Sequence, residues 1–191
     1  MDDKKYVSRG GIKLEHALKE FKVNVSGLTV LDVGSSTGGF VDCLLQNGAA
    51  KVYSLDTAYG ELAWKLRQDP RVAVLERTNI LYLKTFPEIV DLITIDVTFT
   101  SLEKILPVVK RFLKPGGKVI ALVKPQYEDQ KVALRNKGII PDDVRGEILN
   151  KVMQNAQTFG FKLLDKTESP ILGGSGNAEF LINLQNADNQ T

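Results

Sequence analysis

Cysteine is nearly absent: Cys43 is the single thiol in 191 residues. That excludes an intrachain disulfide and a cysteine-rich zinc site, and it suits a reducing compartment, so a cytoplasmic protein is expected. Long apolar runs are missing too. The longest, Val119 to Val123, has five residues, where a membrane-spanning helix needs roughly 20. The N-terminal MDDKKYVSRG holds no apolar core for a signal peptide. Nor does one sign of charge dominate. Lys plus Arg number 25 against 23 Asp plus Glu, which excludes the strongly basic class of nucleic-acid binders and leaves only local patches for such contacts. His16 is the sole histidine, and no group of His, Cys and acids has metal-ligand spacing, so no metal is expected. What remains is 43% hydrophobic and 25% charged, the composition of a globular domain. One domain over residues 1–185 with a polar tail, 186–191, is expected, with no repeat or dividing linker.

Short runs rich in Val, Ile and Leu alternate with helical patterns. Leu28–Val33, Lys51–Asp56, Arg71–Leu75, Val90–Asp96 and Lys118–Lys124 read as strands buried on both faces. Phe40–Gln46, Glu61–Arg67 and Ser101–Phe112 read as the intervening helices, and Leu113–Gly117 as a turn. Ahead of them Ile12–Phe21 places Leu14, Ala17, Leu18 and Phe21 on one helical face, which should pack on the sheet. Past a charged, irregular stretch, Pro125–Pro141, a helix over Asp142–Phe159 precedes a closing strand pair, Phe161–Asp165 and Ala178–Leu184. The alternation predicts an α/β fold with a mostly parallel sheet and helices on both faces.

The first strand breaks into Gly34-Ser35-Ser36-Thr37-Gly38-Gly39 and re-forms as a helix at Phe40. A dinucleotide turn wants Gly-x-Gly-x-x-Gly, whose second glycine admits the pyrophosphate. Ser36 stands at that position, and Asp32, just ahead, would repel a diphosphate while suiting an ammonium. The turn therefore favours the amino-acid and ribose parts of S-adenosylmethionine, although glycine in such a turn also serves backbone geometry alone.

Ligands of open α/β sheets bind outside the carboxyl ends of the strands. Asp56 ends the second strand and can accept two ribose hydroxyls; Asn79, after the third, can read an adenine edge; Asp96 ends the fourth, near the transferred methyl group. Capping or turn duty is the plain alternative for any one of them. Lys124 closes VIALV and is held extended by Pro125. A lysine partly desolvated beside another cation loses basicity, which is what a general base at neutral pH requires. A snorkelling edge lysine is the alternative.

Seven motifs in order carry a resemblance: YVSRGGIKLEHAL (Tyr6–Leu18), LDVGSSTGGFVDCLL (Leu31–Leu45), YGELAWKLR (Tyr59–Arg67), ERTNI (Glu76–Ile80), IDVTFTSL (Ile95–Leu102), LVKPQYE (Leu122–Glu128) and GNAEF (Gly176–Phe180). The chain resembles the TlyA-type, or hemolysin A-like, ribosomal RNA 2'-O-methyltransferases and more distantly the FtsJ group. The resemblance implies a Rossmann-like class I fold, S-adenosylmethionine as cofactor and ribosomal RNA or a ribosomal subunit as partner, with a cytidine ribose as target. It also implies a tetrad of Lys13, Asp96, Lys124 and Glu179, and cofactor contacts from Asp32, Gly34, Ser35, Ser36, Gly38, Gly39, Phe40, Asp56, Asn79 and Asp96. Without it, Lys13 reads as a solvated helix face and Glu179 as an exposed strand edge. Members usually carry a small S4-type RNA-binding module ahead of YVSRGG, which is expected to be absent here because five residues precede that motif.

Lys4, Lys5, Arg9, Lys131, Arg135, Lys137 and Arg145 are the local candidates for RNA phosphate contacts. His16 is expected to face solvent, Cys43 to fill the core, and Trp64 to pack. Three other functions are weighed. A dinucleotide oxidoreductase is opposed by the missing middle glycine, and a pore-forming protein by the lack of spanning helices or serial ten-residue strands. A non-catalytic ribosome-binding protein is opposed by the complete tetrad.

Overall fold

A computed structural model describes residues 5–187. Seven strands form one sheet in the order β3-β2-β1-β4-β5-β7-β6. β1 (Thr29–Val33), β2 (Lys51–Leu55), β3 (Val72–Leu75), β4 (Val90–Ile95) and β5 (Leu113–Val123) run parallel; β7 (Phe180–Asn186) is antiparallel to β5 and to the edge strand β6 (Phe161–Glu168). This is the expected architecture, and apart from the start of β5 the strands begin and end within three residues of the expected bounds.

Alternation along the strands supplies two cores. Leu31, Val33, Ile93 and Ile95 face α4 (Leu102–Val109) and α7 (Asp142–Thr158). Val30, Val52, Leu92 and Ile120 face α1 (Gly10–Glu20) and α2 (Gly39–Gln46), where the expected face of α1, Leu14, Ala17, Leu18 and Phe21, is buried. The starts of α1 and α2 meet closely. A Cβ on Gly39 would collide with Ser8 Oγ and lie 2.8 Å from Gly11 N, so the paired glycines of SRGG and TGGF let two helix ends approach.

Five local expectations are corrected. The helix expected over Glu61–Arg67 is only α3 (Trp64–Arg67): Ala63 N–H bonds to Thr37 O, and Leu62 is spread over the glycine turn beneath it. The Ser101–Phe112 helix ends at Val109 and finishes as a 3-10 turn, Lys110–Phe112. Leu113 pairs with Val90 and Lys118 with Leu92, so the expected turn bulges out within β5 instead of preceding it. The irregular stretch holds two short helices, α5 (Pro125–Glu128) and α6 (Gln130–Arg135). Asn186, assigned to the tail, closes β7, is 3% exposed and donates to the Leu113 and Lys114 carbonyls. The rest of the tail beyond Ala187 lies outside the described residues.

Candidate active site

The carboxyl ends of β1, β2, β4 and β5 open onto a cavity of about 640 Å³, within the ~300–1,000 Å³ usual for small-molecule sites. Its floor is the glycine turn. Gly34 has φ +86, and a Cβ there would run into the Asp96 carbonyl oxygen, so glycine lets the β1 and β4 exits close on each other. Ser36 adopts φ +46 and donates its backbone N–H to Asp56 Oδ2 at 2.7 Å; the other Asp56 oxygen takes Ala58 N–H at 2.9 Å. Asp56 is thereby fixed with its carboxylate at the cavity wall, each oxygen retaining a lone pair. Asn79 lines the same wall and accepts Leu81 N–H at 2.9 Å, capping the turn that presents Ile80 and Leu81 as an apolar surface.

Four side chains of the expected tetrad converge because β7 runs backwards. Val123 at the end of β5 pairs with Phe180 at the start of β7, so Lys124 and Glu179 flank one cross-strand pair. Lys124 Nζ lies 2.6 Å from Asp96 Oδ1. Lys13, on the first turns of α1 and 8% exposed, is ion-paired with Glu179, which is 2% exposed. Neither Lys13 as a solvated face nor Glu179 as an exposed edge survives; Glu179 stands one residue ahead of its strand. Lys13, Asp96 and Lys124 line the cavity, and Glu179 backs it through Lys13.

Among the expected cofactor residues, Gly34, Ser35, Ser36, Gly39, Phe40, Asp56, Asn79 and Asp96 line the cavity. Asp32 and Gly38 do not. Gly38 carries φ +99 under Leu62 and Leu66 and shapes the turn from below. Asp32 is fully buried in the sheet, accepts the Thr94 hydroxyl at 2.6 Å from its cross-strand neighbour and leaves Oδ2 without a partner. Burial pushes its pKa up to about 7.

Ser8, Glu61, Thr78 and Phe99 also line the cavity, each inside one of the seven motifs but given no role of its own by the sequence reading. Phe99 was the legible one, an aromatic in a polar strand-exit loop. It has φ +61, is 76% exposed and packs at 5.0 Å against Tyr127 with the rings tilted by 56°. Arg9 reaches the cavity mouth, and Lys131, Arg135 and Lys137 are exposed without ion pairs among the described residues. Lys5 is engaged by Glu15 at 2.5 Å and Arg145 by Asp142 at 2.5 Å, which leaves both poorer candidates for phosphate; Lys4 lies outside the described residues. His16 is half-buried and meets Thr167 Oγ1 at 3.2 Å, so it ties α1 to β6 instead of facing solvent. Trp64 is 72% exposed, not packed. Cys43 is fully buried as expected, its thiol pushed up to about 12 by burial.

The model of the family described as FtsJ-like methyltransferase matches residues 6–186. The chain belongs to the FtsJ-like methyltransferase family. This FtsJ-like methyltransferase is 49% identical over 187 residues to the Bacillus subtilis protein named "Putative rRNA methyltransferase YqxC", covering 94% of this chain and 66% of that one. It is 41% identical over 185 residues to the 16S/23S rRNA (cytidine-2'-O)-methyltransferase TlyA of Mycobacterium tuberculosis, covering 94% and 68%. The crystal structure of "a putative hemolysin from Lactococcus lactis" superimposes with a TM-score of 0.91 at 46% identity, covering 96% and 89%. The chain spans about two thirds of the length of the two curated relatives named here. Among the described residues of this FtsJ-like methyltransferase, no helix is long and apolar enough to cross a membrane, and no group of side chains could hold a metal.

Glu128 adds a pH-dependent contact behind the site. Its carboxylate accepts Leu102 N–H at 3.0 Å, tying the α5 turn after Lys124 to the start of α4 after Asp96. Burial, with Glu103 adding to it, raises its pKa from 4.5 to about 7. A raised carboxyl pKa means that the folded state holds its proton more tightly. The stabilising contribution is therefore complete below the unfolded value and is lost as pH climbs from about 4 to about 7. Glu128→Gln keeps an acceptor for Leu102 N–H and has no charge to bury, so it should flatten that part of the curve and raise stability at pH 8 by on the order of 2 kcal/mol. Thermal melts of both proteins between pH 4 and pH 8 test this; parallel curves would remove Glu128 from the account, with Asp32 left to cause the common slope.

Proposed function

We propose that this chain transfers a methyl group from S-adenosylmethionine to a ribose 2'-hydroxyl of ribosomal RNA, on a cytidine, in the cytoplasm. The observation that carries the reading is the meeting of two ion pairs, Lys124 with Asp96 and Lys13 with Glu179, at the edge of a strand-end cavity. The cavity suits the cofactor: a small-residue turn that closes only with glycine, a fixed carboxylate at Asp56 for ribose hydroxyls, and an apolar wall from Ile80 and Leu81. When bound, S-adenosylmethionine supplies an electrophilic sulfonium methyl.

The residues then do three things. Lys124 as the free amine would take the hydroxyl proton as the oxygen bonds to the methyl carbon and the carbon–sulfur bond breaks to leave a neutral thioether, and Asp96 holds that amine in place. Lys13 and Glu179 steer the hydroxyl, and with Lys124 as the free amine the tetrad carries one net negative charge that the arriving proton cancels, so no positive field opposes the cationic cofactor. The rigid strand ends hold both partners, which removes much of the entropic cost of their encounter. Outside the cavity, Phe99 and Tyr127 offer a face on which an unstacked base can rest, and Arg9, Lys131, Arg135 and Lys137 offer charge to phosphates, which positions RNA without reading its sequence. The matched residues 6–186 act as one catalytic domain in this reading.

The test is transfer of labelled methyl from S-adenosylmethionine to isolated ribosomal subunits, followed by digestion to nucleosides. Label is expected in 2'-O-methylcytidine. Label on a base or a protein, or none despite cofactor binding, would overturn the reading; the last outcome would favour a non-catalytic binding protein.

A further inference from the structure

Asn177 is 2% exposed and lies two residues ahead of Glu179. Its side-chain amide pairs with backbone from another part of the chain on both of its polar atoms: Oδ1 accepts Ile140 N–H at 2.8 Å, and Nδ2 donates to Gly138 O at 2.9 Å. Those partners belong to the α6–α7 connection, where Lys137 and Gly138 take consecutive left-handed conformations, φ +55 and φ +87. Lysine is disfavoured there, so the turn needs something to hold it. Ile140 is buried beside Ala133 of α6 and Ile148 of α7 in a small cluster of its own. The amide therefore grips the segment at buried Ile140, beside the turn that follows the exposed Lys131, Arg135 and Lys137.

The other end of the Asn177 segment is tied to the site. Asn177 O accepts Gly173 N–H at 2.9 Å, and a Cβ on Gly173 would overlap the Glu179 carboxylate. One short stretch thus holds the Glu179–Lys13 pair at its end and the cationic arm at its centre.

The geometry points to Asn177 as a positioning residue that sets the cationic α6–α7 arm in register with the catalytic centre, so that RNA phosphates gripped by the arm place the target ribose at the tetrad. This rests on the RNA methylation reading. The chemistry is specific to an amide. Aspartate keeps the acceptor for Ile140 N–H and loses the donor to Gly138 O, while alanine leaves both backbone groups buried and unpaired.

The experiment compares the unaltered chain with Asn177→Ala and Asn177→Asp by four readouts: hydrogen exchange at the Ile140 amide, S-adenosylmethionine affinity, KM and kcat for labelled methyl transfer to isolated ribosomal subunits, and subunit affinity. In Asn177→Ala, Ile140 exchange and KM should each rise about tenfold, with cofactor affinity and kcat kept within about threefold. Asn177→Asp should fall between, and it carries the comparison where the alanine variant does not fold. Faster exchange with an unchanged KM overturns the inference, as does a parallel loss of cofactor affinity and kcat, which marks a general structural role. An unaltered chain that binds cofactor and subunits without transferring methyl overturns the parent reading alone; subunit affinity then decides, about tenfold weaker in Asn177→Ala supporting the arm's register and no change overturning it.

Discussion

Lys124→Ala is expected to lower the rate of methyl transfer at saturating cofactor and RNA by about 10³-fold, while S-adenosylmethionine affinity changes by less than about threefold. A positioned general base contributes ~10²–10⁴-fold, and Lys124 is also the partner that holds Asp96 through its 2.6 Å ion pair. Removing it takes away the positive charge paired with the Asp96 carboxylate. Lys124→Arg restores that charge and still should not recover the rate, because a guanidinium keeps its proton at any usable pH and presents a planar fork where a single nitrogen fits. The pair of variants separates two roles that alanine alone confounds. Recovery by arginine would assign Lys124 to charge balance and send the proton elsewhere. Single-turnover kinetics is the appropriate measurement, since product release can mask chemistry in steady state. A Lys124→Ala protein that transfers methyl within about threefold of the parent rate would remove Lys124 from the mechanism.

The sheet was legible because its strands are short runs of branched apolar residues separated by helical patterns, and a parallel sheet buried on both faces has no other signature. The order of those strands was not in the periodicity; it is seen only in the pairing of the folded sheet. Within the site, Asp56, Asp96 and Lys124 could be read as strand-exit residues because each directly follows an apolar run. Lys13 and Glu179 could not be found that way. Lys13 lies beside the apolar face of α1, and Glu179 reaches the site only because β7 is antiparallel to β5, which places the start of one beside the end of the other. Asp32 shows the converse failure. Its position before the turn suggested a cofactor contact, but the strand pleat points it into the sheet toward Thr94. The bulge within β5 and the extended path of Glu61–Ala63 were invisible for one shared reason: tertiary contacts, with β4 in one case and the glycine turn in the other, override local preference.

Gly34→Ala should be the most damaging small substitution in the glycine turn, with a loss of about 2–5 kcal/mol of stability and a cofactor affinity reduced at least about tenfold. Two costs add. The left-handed φ of +86 costs a non-glycine residue roughly 1–2 kcal/mol. The new Cβ would also overlap the Asp96 carbonyl oxygen and lie 2.9 Å from its carbon, and neither side can yield freely. Gly34 N–H is bonded to Leu55 O at 2.9 Å, and Asp96 N–H to Val33 O at 2.9 Å, so relief of the clash must pry β1 from β2 or from β4 at the floor of the cavity. Gly27→Ala provides the control. Its φ is +76, and nothing lies within 4 Å of the added carbon, so it bears the conformational cost alone, in a loop away from the cavity. Melting temperatures and cofactor titrations of the two variants therefore isolate the contact term. Equal losses of stability would mean that the strand ends part cheaply, and a cofactor affinity retained in Gly34→Ala would mean that the turn does not shape the cofactor site. A larger loss in Gly34→Ala, with binding lost only there, would tie the close approach of β1 and β4 to the cofactor floor and to the placement of Asp96 beside Lys124.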